Sequence, residues 1–123
     1  HPLARKTHLS WQAYFEQDYI GLDRVSGNRT LLDRELAHLT PARPSICETR
    51  HVTTMLGMVE AGIGIAAVPA MSMPAGEHSV LRAVPLTDPV VTRTVGLIRL
   101  SGRIQSYVAA ELEKLIIEQY PSG

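Results

Sequence analysis

Ile63, Gly64, Ile65, Ala66, Ala67 and Val68 form an unbroken apolar run, entered through Gly62 and closed by Pro69. A strand without polar alternation has both faces buried, so it needs a layer of structure on each side. The chain supplies helices to make those layers. Val52, Leu56 and Val59, with Met55 beside them, make an apolar stripe on a helix over 52–61, and Gly62 stands where a C-terminal glycine is expected. Leu32, Leu36 and Leu39 stripe a helix over 29–38, and Val108, Leu112, Leu115 and Ile116 stripe another over 104–119. A short helix over 10–17 has Ser10 as its cap and Trp11, Tyr14 and Phe15 as apolar positions. Further strands are expected over 19–22, 44–49, 80–86 and 92–100, with a loop or single turn over 71–79. Strands separated by helices predict an α/β fold with a largely parallel sheet.

Composition narrows the function classes. Twelve lysines and arginines balance twelve aspartates and glutamates, so these 123 residues carry no electrostatic footprint for nucleic acid or an anionic membrane. Cys47 is the single cysteine, which rules out an internal disulfide and suits a reducing cytosol. No apolar run approaches the roughly 18 residues of a membrane span, and no leader-like segment opens the chain. A cytoplasmic location without membrane contact is therefore expected. The start at His1 without an initiator methionine reads as a piece of something longer.

Gly62-Ile63-Gly64-Ile65-Ala66-Ala67 fits the spacing of a dinucleotide-binding fingerprint, but the fingerprint must follow a strand and open a helix. Here a helix precedes and a strand follows, so Gly62 is read as a helix cap and Gly64 as a site of close packing. Ser26-Gly27-Asn28-Arg29 has the productive order, strand then helix. It places unpaired amides, a hydroxyl and the positive end of a helix dipole at the carboxyl end of a strand, where open α/β sheets bind ligands. Thr49 to Thr54 repeats that order, with His51, Val52 and Thr53 at the helix start. Two such starts facing one cleft suit a carboxylate. Simple capping by Ser26 and Thr53, and a surface role for His51, are the plainer readings of the same residues.

Catalytic patterns are weak. Ser26, His51 and Asp23 can be drawn as a triad, yet G-x-S-x-G is absent. The five histidines lack metal spacing, and paired carboxylates for acid–base work are not evident. The chain is read as no enzyme, with no catalytic residue, no metal and no cofactor.

Glu60 to Pro69 resembles the helix-to-strand segment of LysR-type transcription regulators, within their effector-binding (substrate-binding) domain. His1-Pro2-Leu3-Ala4 is similar to the opening of the second half of such domains. Ser26-Gly27-Asn28-Arg29 is similar to their SGTR-type turn, with Asn28 where threonine is usual, and Arg93 to Arg99 to a late strand. The resemblance covers nearly the whole chain. It implies a periplasmic-binding-protein-like (type 2) α/β fold, a mixed sheet flanked by helices, and a chain that is a fragment of a two-subdomain effector domain. Residues 1–90 would form the second subdomain, and 91–123 the strand and C-terminal helix that return to the first or, without it, pack on another copy or on their own subdomain in a way unlike the family. Carried over by position, the effector-contacting residues are Ser26, Gly27, Asn28, Arg29, His51, Val52 and Thr53. The implied function is allosteric sensing of a small, anionic metabolite by a homo-oligomer, dimer or tetramer, that binds DNA through a separate helix-turn-helix domain. A solute-binding protein for transport and an enzyme on the same two-lobed fold are the rivals.

Overall fold

The computed structural model describes residues 1–74 and 80–120, and the chain divides into two compact units, His1–Val91 and Thr92–Gly123. The first unit opens with a 3-10 turn, Pro2–Arg5, and then runs β1 (Leu9–Ser10), α1 (Trp11–Phe15), β2 (Tyr19–Leu22) and α2 (Gly27–Glu35). It continues with β3 (Cys47–Thr49), α3 (Val52–Glu60), β4 (Ile65–Ala66), a 3-10 turn at Ala70–Ser72, and β5 (Leu86–Thr87). The expected loop over 71–79 lies partly outside the described residues.

Three strands form the sheet that organises this unit, in the order β3-β2-β4. Both pairings are parallel, with Ile20 opposite Cys47 on one side and opposite Ala66 on the other. A second parallel pair joins β1 to β5, Leu9 opposite Leu86. Every ladder among the described residues is thus parallel, and the expected antiparallel component of a mixed sheet is not among them. The reason lies in the late segments. Of residues 80–86, only Leu86 enters a strand, and residues 92–100 form no ladder at all, because extended residues become a strand only beside a partner.

The central strand β2 separates two cores. Its residues alternate across the sheet. Tyr19 joins Trp11, Tyr14, Leu9 and Leu36, with Leu32 and Leu39 packed alongside. Ile20 and Leu22 join Met55, with Met58 and Val59 of α3 alongside. Helices α2 and α3 therefore cover opposite faces of one strand.

Local chemistry sets the element ends. Ser10 Oγ accepts the Ala13 amide at 3.2 Å and starts α1. At the end of α3, Gly62 takes φ +76°, its amide donates to Val59 O at 2.9 Å and the Ile63 amide to Met58 O at 3.1 Å. That pair of bonds is the Schellman closure, and it needs the left-handed conformation that glycine adopts freely. The six-residue motif therefore ends a helix and feeds a strand, as its context predicts. Gly64 is required by proximity, since a Cβ there would lie 2.6 Å from Asp18 O.

The second unit is one helix and an extended segment. Ser106 Oγ accepts the Ala109 amide at 3.3 Å to start α4 (Tyr107–Gln119), three residues later than the expected start at 104. Glu113 on α4 accepts from Gln105 Nε2 at 2.8 Å and pairs with Arg99 at 3.8 Å. Val95, Leu97, Ile98 and Leu100 of the segment and Val108, Leu112 and Leu115 of the helix are exposed.

Candidate functional site

The switch of faces between α2 and α3 marks the candidate site. β2 and β3 are parallel neighbours, so they end on the same edge of the sheet. The chain leaves β2 for one face and β3 for the other. In an open α/β sheet this divergence opens a crevice between the carboxyl ends of the two strands, bounded by the two helix starts.

Ser26 is the N-terminal cap residue of α2, with φ −74° and ψ 127°, but its side chain makes no capping bond. The first helical bond closes only when the Thr30 amide reaches Ser26 O at 3.1 Å. The amides before it have no place in the helix ladder. Ser26, Asn28 and Arg29 are half-buried and Gly27 is exposed, with open space where a Cβ would stand. His51 is the cap residue of α3 and likewise makes no side-chain capping bond; the first bond runs from the Met55 amide to His51 O at 3.0 Å. His51 and Thr53 are exposed and Val52 is half-buried. Capping thus accounts for neither Ser26 Oγ nor Thr53, which lies one residue inside the helix.

The two turns are tied together. The Asp23 amide donates to Thr49 O at 3.0 Å, extending the β2–β3 ladder by one bond. The Asp23 carboxylate accepts the Val25 amide at 3.0 Å and pairs with Arg50 at 3.4 Å. The Val25 amide, then the Arg50 guanidinium, hold this carboxyl below its ordinary range. Asp23 therefore pins the crevice instead of activating a nucleophile as the paper triad requires. Arg29 pins it from the α2 side: its guanidinium donates to Asp33 at 2.7 Å, Leu22 O at 3.0 Å and Glu48 at 3.4 Å. Sequence reading missed the Asp23–Arg50 tie, because opposite charges 27 positions apart carry no periodic signal.

A cavity of about 520 Å³ lies between α2, the 39–45 connection and the aromatic core, meeting the crevice at Leu22, Arg29 and Glu48, and of the seven predicted residues only Arg29 lines it. Among the described residues no group of His, Cys, Asp and Glu side chains could hold a metal ion, and no helix is long and apolar enough to cross a membrane.

The family described as LysR substrate binding domain matches residues 1–121. The chain belongs to this family. It is 39% identical over 117 residues to the HTH-type transcriptional regulator YbhD of Escherichia coli (strain K12), covering 95% of this chain and 37% of that relative. It is 35% identical over 117 residues to the HTH-type transcriptional regulator YfeR of Shigella flexneri, covering 95% and 38%. A shorter match, 37% identical over 68 residues, covers 55% of the chain and 22% of the transcriptional activator protein LysR of Escherichia coli (strain K12). The chain therefore spans well under half the length of these relatives. No solved structure is significantly similar to it. Membership carries a periplasmic-binding-protein-like α/β fold, to which the parallel sheet and its switch of faces conform, and it is a family of regulator domains, not of enzymes.

Proposed function

We propose that the LysR-type chain senses a small anionic metabolite in the crevice at the ends of β2 and β3, and passes the binding event to a DNA-binding helix-turn-helix in the same protein. The observation that carries the reading is the pair of helix starts on neighbouring strands whose cap residues, Ser26 and His51, make no side-chain capping bond. The positive dipole ends of two helix N-termini favour negative charge between them. Ser26, Gly27 and Asn28 offer hydroxyl, amide and side-chain contacts from one side, and His51, Val52 and Thr53 from the other. A ligand carboxylate reaching Arg29 displaces Glu48, the longest of its three contacts. Residues from 92 onward belong with the other subdomain of a two-lobed sensor, where the exposed apolar side chains of α4 and its preceding segment find cover. In a homo-oligomer, closure of the crevice then changes how subunits sit on DNA, which requires the ligand to bind the closed state better than the open one.

Titration calorimetry of the full-length gene product against a panel of mono- and dicarboxylates tests this reading. One or more carboxylates should bind, and Ser26→Ala and Thr53→Val should each weaken that binding about tenfold, the loss of one hydrogen bond to a charged group. Binding untouched by both changes, or no binding by any carboxylate, refutes it.

A further inference from the structure

We infer that the cavity beneath α2, which adjoins the crevice at Arg29 and Glu48, is a second small-molecule site that takes a neutral aromatic alcohol or phenol. Its volume, about 520 Å³, is in the range of pockets that enclose drug-sized ligands. Trp11, Tyr14, Phe15 and Tyr19 line it and form one packed group, with neighbouring ring centroids 5.2–6.0 Å apart. Their polar tips are already engaged. Trp11 Nε1 donates to Pro89 O at 3.0 Å, Tyr14 Oη accepts the Ala67 amide at 3.1 Å, and Tyr19 Oη donates to Arg43 O at 3.3 Å. Trp11, Tyr14 and Tyr19 are themselves buried in the core, so a visitor meets chiefly the half-buried Phe15 ring and the edges of the other three.

The charges at the rim select against ions. Arg29 and Arg43 are balanced by Asp33 and Glu48 in the same lining, and Arg29 already contacts both carboxylates. Ser45 adds an uncharged hydroxyl directly over Gly21, 2.8 Å from where a Cβ would stand. An aromatic ring against the cluster with its own hydroxyl on Ser45 satisfies both parts of the lining.

Trp11 is the only tryptophan, so its fluorescence reads this cavity without labels. Benzyl alcohol titrated into the chain should change Trp11 emission saturably at about millimolar concentration, as expected for so small a ligand. Benzoate and benzylammonium should bind at least tenfold more weakly. Ala37→Phe and Ala42→Phe fill the rim from exposed positions, so the core is untouched, and each should abolish the saturable change. Ser45→Ala should weaken it severalfold. An emission that does not saturate, a response retained in both filled variants, or equal binding of the charged probes overturns the assignment.

Discussion

Gly64→Ala should be among the most damaging single-methyl additions in the chain. The new Cβ would lie 2.6 Å from the Asp18 carbonyl oxygen, 3.2 Å from Ile46 Cδ1 and 3.3 Å from Asp18 C. Ordinary contact begins near 3.4 Å, so backbone must give by about 0.8 Å, and a carbonyl cannot swing aside as a side-chain tip can. The same oxygen accepts the Ile65 amide at 3.0 Å, the bond that docks β4 on β2. Overpacking costs about 1–3 kcal/mol and a weakened hydrogen bond adds about 1. The expected loss is therefore ~2–4 kcal/mol, a melting-temperature drop of roughly 8–15 °C for a chain this size. Gly57→Ala is the control. It lies inside α3 with open space around its Cβ, and exchange of an open helical glycine for alanine should stabilise by about 1 kcal/mol. Urea unfolding followed by circular dichroism reads both, with an unchanged slope showing that stability alone has moved. Gly64→Ala within about 0.5 kcal/mol of the parent, against an uncertainty of similar size, would refute the packing at this strand junction.

Other outcomes follow from the hydrogen bonds. Ser26→Ala should cost little stability, because its hydroxyl makes no capping bond, whereas Ser10→Ala, which loses the bond to the Ala13 amide, should cost ~1 kcal/mol by the same unfolding assay. Equal losses would show that Ser26 is an ordinary cap. Tyr14→Phe leaves the Ala67 amide without its acceptor and should cost about 1–3 kcal/mol. Burial pushes the Tyr14 phenol well above its ordinary value of 10.0. A raised acid favours the folded state fully below that value and loses the contribution as pH rises through and beyond it, so stability should fall above pH 10, and less steeply in Tyr14→Phe.

Much of the first unit was legible because its signals are local. The stripe of α2, the cap at Ser10 and the Schellman glycine at 62 each depend on residues a few positions apart. The apolar run 63–68 does not form the expected strand buried on both faces: only Ile65–Ala66 forms a strand, half-buried at the sheet edge, and Ile63 is exposed, because β4 has a neighbour on one side alone. Helix α3 likewise packs through Met55, Met58 and Val59 and not through Val52 and Leu56. β1 and β5 were not legible as a pair: each has two residues, too few for any period, and they meet only through a partner 77 positions away. Residues 92–100 have strand composition, but a strand is a property of a pair, and no ladder forms there among the described residues. At the site, chain order foretold two strand-to-helix turns. It could not foretell that Arg29 would face three acceptors, that Asp23 would reach Arg50, or that four aromatic residues would border a hollow, since each depends on side-chain placement across the fold.

The central claim is that two helix starts act on one ligand. Amide NMR of the full-length gene product, titrated with a carboxylate found by calorimetry, measures this directly. Resonances of Gly27 and Asn28 on one turn and Val52 and Thr53 on the other should shift together, with one shared saturation point. Shifts confined to a single turn, or centred on the cavity beneath α2 while both turns stay still, would contradict it.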